Sequence, residues 1–175
     1  MNYLYHGVPV LLEGKELMPL NDLKKEHPKM YKEEVKKYEG RKKLLKIKVP
    51  LLNCLWNDVL HFSAIHPKKI KKAIIESGFN AKYKWKFFKV NPKLFNLKKI
   101  IVYLYDYKIR NKPLKKDFVP FKVKDLPKYS KLKKATKDYY KKEIKNNKRP
   151  LMYHLVPHIL YKGRLKIKDL EVIEV

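Results

Sequence analysis

The chain has 175 residues, 45% of them hydrophobic and 13% aromatic, which suits one folded domain and is too apolar for a disordered basic tail. No apolar run reaches the roughly 18 residues that a membrane helix needs, and no charged-then-apolar leader is recognisable, so neither a membrane partner nor secretion is expected. A lone cysteine, Cys54, leaves no internal disulfide and fits a reducing, cytoplasmic compartment.

Lys and Arg number 44 against 17 Asp and Glu, a formal net charge of +27. Folding gains nothing from such self-repulsion, so the excess points to a polyanionic partner, most often nucleic acid. Composition offers a second explanation. The chain has no Gln and one Thr, Thr136, a usage that suits an AT-rich or thermophilic source.

In chain order, residues 2–10 predict a strand, and Asn21 to Tyr38 a helix interrupted near Pro28 and ended by Gly40. "LKIKVPLL" predicts a strand up to Pro50, and "VLHFSAI" a second. "HPKKIKKAIIESGF" predicts a helix with Pro67 in its first turn, an Ile70–Ala73–Ile74 face and Gly78 as its stop. "KYKWKFFKV" and "KKIIVYLYDYKI" predict strands, the run from Ile100 to Tyr105 being the most buried. "FVPFKV" predicts an edge piece because of Pro120. A basic helix follows in "LPKYSKLKKATKDYYKKEIKNN", then strands in "PLMYHLVPHILYKG" and "RLKIKDLEVIEV". The sum is an α+β single domain over 1–175, a strand-rich mixed sheet core with flanking helices.

Five histidines fall in or beside predicted strands: His6, His61, His66, His154 and His158. His154 and His158, four apart across Pro157, share a face if both lie in one strand. Without a cysteine pair or an HExxH pattern, no metal site is expected. No GxSxG, P-loop or GxGxxG occurs, and Cys54 sits in an apolar run as a buried thiol. His6, between a strand and Gly7, has two readings: a histidine satisfied by main chain, or a ligand contact with Gly7 admitting the ligand close to the backbone. Lysines would hold phosphates, with Lys84, Lys86, Lys133, Lys134, Lys141 and Lys142 as candidates, and exposed tyrosines or Trp85 would stack an unpaired base.

Four segments together resemble the ADP-ribosyltransferase fold, nearest to the DarT-type DNA ADP-ribosyltransferases. They are "YLYHG", "KKYEGRKKLL", "VPLLNCLWNDVLHFSAI" and "KRPLMYHLVPHILYKGRLKIKDLEVIEV". The resemblance implies that NAD is the cofactor, that His6 holds its nicotinamide-side ribose, and that Arg41 is the catalytic arginine. His6, Gly7, Tyr38 and Arg41 would bind the cofactor, and His6, Arg41 and His154 would serve catalysis. It also implies a nucleic-acid acceptor, single-stranded DNA or RNA, and an inhibitory partner protein restraining a toxin-like transferase activity. One departure stands out: the family's catalytic glutamate falls at Met152, beside Tyr153, and neither is a carboxylate. Two other functions fit the same residues. One is a metal-independent ribonuclease using His61 and His154 as acid and base. The other is a basic nucleic-acid-binding protein without catalysis.

Overall fold

The computed structural model describes residues 2–105 and 113–175. The first helical segment splits as the proline requires. α1 is Leu20–Glu26 and α2 is Pro28–Val35. Pro28 has no N–H to donate and disfavours a helical residue before it, so His27 is extended at φ −134. A 3-10 turn at Lys36–Tyr38 continues α2, and Gly40, at φ +71, turns the chain away. α3 (Pro67–Glu76) starts with His66 Nδ1 accepting from the Lys68 N–H and ends at Gly78, φ +98. α4 is the single turn Leu126–Tyr129, and α5 is Lys134–Lys145. No helix among the described residues is long and apolar enough to cross a membrane.

Eleven strands are described. β1 (Leu4–Gly7), β6 (Lys86–Val90) and β11 (Glu171–Glu174) form a three-stranded sheet with β6 in the centre. β5 (Leu60–Phe62), β9 (His158–Tyr161), β7 (Ile100–Tyr103) and β8 (Phe118–Pro120) form a four-stranded one in that order. Pro120 lies on its edge strand, where its missing N–H costs no ladder bond. Two short pairs complete the set: β2 (Glu16–Leu17) with β10 (Leu165–Lys166), and β3 (Lys48–Val49) with β4 (Cys54–Leu55).

The chain is α+β, but the expected mixed sheet is corrected: every strand pair among the described residues is antiparallel. Nor is there one sheet system. The two larger sheets meet at one isolated bridge, Tyr5 with Ser63. Three predicted strands also shrink. Lys42–Lys46 is a 3-10 turn, so "LKIKVPLL" leaves only β3. The strand expected over "LMYHLVPHIL" begins at His158, and "RLKIKDLEVIEV" divides into β10 and β11.

All four residues of β7 are buried because both faces of its sheet are covered. Ile100 and Val102 pack into the main core with Leu4, Phe62, Phe88 and Ile159. Ile101 and Tyr103 face Val49, Trp56 and Leu160. The buried run expected to reach Tyr105 stops at Tyr103: Leu104 and Tyr105 are half-buried and lie past the strand, and "DYKI" beyond them lies outside the described residues. A further core joins α3 to α5 through Ile70, Ile74 and Tyr140.

Candidate functional site

Strand alternation assembles the site. In β5, Leu60 and Phe62 point into the main core, which sends His61 to the opposite face. In β9, His158 shares a face with Leu160, and its direct partner across the ladder is Tyr103. The imidazoles of His61 and His158 therefore stand 6.2 Å apart, with Trp56 packed on both at 4.6 and 5.9 Å. Tyr103 and Tyr105 stack on His158, Tyr103 also touching Trp56 at 5.5 Å, and Tyr153 lies 6.3 Å from His158. Both histidines are half-buried, and the ring-lined face that they share is called the recess below.

His6 enters from the three-stranded sheet. Tyr5 and Ser63 exchange both backbone bonds, at 2.8 and 2.9 Å. Continuing that ladder would set Gly7 opposite His61, but β1 diverges there. The His6 Nδ1–H donates instead to the His61 carbonyl at 2.7 Å, so a side chain takes over where the main chain stops. The main-chain reading of His6 accounts for Nδ1 and leaves Nε2 as an acceptor. His61 is fixed the other way: its Nε2–H donates to the Trp56 carbonyl at 3.0 Å, leaving Nδ1. His158 has no hydrogen bond to either ring nitrogen among the described residues.

Burial keeps these rings neutral. It lowers His6 and His61 to about 4 each, against a smaller upward pull from their carbonyl partners. It lowers His158 to about 3, with His61 adding to the effect. Tyr153 is pushed well above the usual tyrosine range by burial, and its buried hydroxyl has no partner. Two non-glycine residues in left-handed backbone, Tyr105 (φ 47) and Leu155 (φ 55), flank the histidines. Such strain persists only where surrounding structure enforces it, and functional sites collect it.

Arg41 and Met152 do line one cleft, of about 450 Å³, together with Lys37 and Arg149. The Arg41 guanidinium donates to the Lys37 carbonyl, and its charge is felt by Tyr38 and Tyr139. The Lys37 charge in turn disfavours the charged form of His6, and no contact joins Arg41 to His6 among the described residues. Met152 is half-buried against the α3–α5 core, and its carbonyl accepts from the Tyr140 hydroxyl at 2.5 Å. His154 leans on Tyr139 at 3.8 Å and bonds Tyr105 Oη through Nδ1 at 3.1 Å. It does not share a strand with His158, because residues 152–155 form turns. Tyr38 packs against the Trp56 cluster, with burial raising its pKa. At Gly7 an added Cβ would meet only Phe87, at 4.0 Å, so packing does not demand the glycine.

Trp85 requires a correction: it is 8% exposed and cannot offer an open stacking face. Lys84 and Lys86 are both ion-paired with Glu174, at 3.0 and 3.4 Å. Lys133, Lys134, Lys141 and Lys142 are exposed at or along α5. Sequence reasoning missed Lys37, Trp56, Tyr105 and Tyr139, and treated His158 as structural. A signal existed for His158: it sits two residues from Leu160 at the head of an apolar strand, on the face that carries His61. Among the described residues no group of three or more His, Cys, Asp or Glu could hold a metal ion. Comparison with family models, with curated proteins and with solved structures found no match to this chain, so the geometry of the recess is what speaks for its function.

Proposed function

We propose that the recess binds NAD and that the protein is a nucleic-acid-directed ADP-ribosyltransferase-like domain. One observation carries the reading: three imidazoles are kept neutral by burial, two of them set among aromatic rings, while Lys37, whose charge acts on His6, lines a cleft together with Arg41. A ligand that answers all three features has a flat ring, free hydroxyls and phosphates. His6 Nε2 and His61 Nδ1 accept from ribose hydroxyls, and Arg41 and Lys37 offset phosphate charge. NAD supplies a glycosidic bond whose cleavage releases neutral nicotinamide, while a base nitrogen bonds the freed ribose carbon and gives up a proton. His154, kept neutral by burial, is the base assigned to that proton.

The resembled family's carboxylate has no counterpart at Met152, so Arg41 carries more of the electrostatic work in this chain. The ribonuclease reading needs one imidazole protonated near neutral pH, whereas burial lowers both His61 and His154. Calorimetric titration with NAD tests the proposal, joined to transfer of labelled ADP-ribose onto single-stranded oligonucleotides. Binding lost in His158→Gln, and transfer lost in Arg41→Ala with the fold intact, are the expected results. No heat with NAD, alongside salt-sensitive nucleic-acid binding, would leave the non-catalytic reading. RNA cleavage in EDTA would establish the ribonuclease.

A further inference from the structure

The cleft beside the recess has its own chemistry. Its walls are apolar, from Ile74, Phe79, Trp85, Leu151 and Met152, and its volume of about 450 Å³ falls toward the small end of ligand pockets. Three cations border it: Lys37, Arg41 and Arg149. Among the described residues only Lys37 has a carboxylate partner, Glu34. The Trp85 indole is buried, with its N–H closed off from solvent and without an acceptor among the described residues, so the ring serves the cleft as apolar wall. Next to it, Tyr83 is 48% exposed, 6.0 Å from the Trp85 ring, and Arg149 Nη2 donates to its hydroxyl at 2.8 Å.

We propose that this cleft receives one unstacked base of a single-stranded nucleic acid. That base packs on the apolar wall, the adjoining phosphate meets Arg149, and the neighbouring base stacks on Tyr83. Charge complementarity selects the occupant: an apolar slot bordered by cations, in a chain of net charge +27, suits a flat polar ring tethered to phosphate. A base held in a duplex cannot enter. This rests on the nucleic-acid part of the reading above and is independent of NAD.

The test is fluorescence anisotropy with a labelled oligonucleotide of about twelve nucleotides. The same strand made abasic keeps every phosphate and loses every base, and it should bind about tenfold more weakly. Arg149→Ala and Tyr83→Ala should each cost about tenfold. Equal affinity for intact and abasic strands would overturn the proposal, as would a duplex binding as tightly or a free mononucleotide competing equally well. Titrating NAD into the same samples separates the two readings, because absent NAD binding sinks the recess assignment and leaves base capture standing.

Discussion

Arg164 and Arg149 carry the same charge in opposite surroundings. Arg164 donates from Nε to Asp22 at 2.9 Å and through both terminal nitrogens to Glu26, with Glu16 3.5 Å away. That knot ties the turn before β10 to α1 and holds Glu26 below the usual carboxylate range. Arg149, like Arg41, has no carboxylate partner among the described residues. In a chain with 17 acidic residues against 44 basic ones, the position of the acids sorts the cations. Where carboxylates gather, the cation is structural. Where they are missing, it remains available to an outside anion.

The largest effect separating the two regions should come from pH. His6, His61 and His158 ionise near the ordinary histidine value when unfolded, but at about 4, 4 and 3 when folded. The unfolded chain then binds more protons, so stability is full above roughly pH 6.5 and falls as pH drops toward 4. Each histidine contributes a slope of up to about 1.4 kcal/mol per pH unit. The Arg164 knot has the lower window: Glu26 contributes above the ordinary carboxylate range and is lost only as pH falls below it. Urea unfolding followed from pH 7.5 to 3.5 should show both, and His158→Gln should flatten only the upper one. A level curve between pH 6.5 and 5 would break the comparison.

Arg164→Ala ranks next. It should lower stability by about 1–2 kcal/mol, since three carboxylates lose a shared partner and repel one another. Tyr153→Phe should act in the other direction. Removing a buried hydroxyl without a partner should raise stability by about 0.5–1 kcal/mol, as denaturant midpoints would show. Smallest of all, Arg41→Ala and Arg149→Ala should stay within about 0.5 kcal/mol of wild type. A midpoint shift as large as that of Arg164→Ala would mean that these two are structural after all.

Local rules made the helices legible. Pro28 and Pro67 mark helix starts, Gly40 and Gly78 mark stops, and each acts through its own backbone. The burial of Ile100 to Tyr103 was legible too, because an uncharged run needs cover on both faces. Trp85 was legible and misread. In a strand-like "KWK", two solvated lysines turn the residue between them inward. The segment from Leu151 to Leu155 was not legible. Its turns are anchored from a distance, by Tyr140 on the Met152 carbonyl and Tyr105 on His154, and local pattern does not encode such contacts. For the same reason the recess could not be read as a unit, although His6, His61 and His158 were each noticed.

The single bridge between Tyr5 and Ser63 gives the molecule a mechanical joint. Seven strands lie in two plates, and the described backbone fastens those plates at one pair of hydrogen bonds beside His6. Side chains hold what the backbone does not, since Leu4 and Phe88 of one plate pack on Phe62 and Ile159 of the other. A guest spanning His6 on one plate and His158 on the other would act as a splint. Slower hydrogen exchange at the Tyr5 and Ser63 amides would then report its arrival from outside the contact surface.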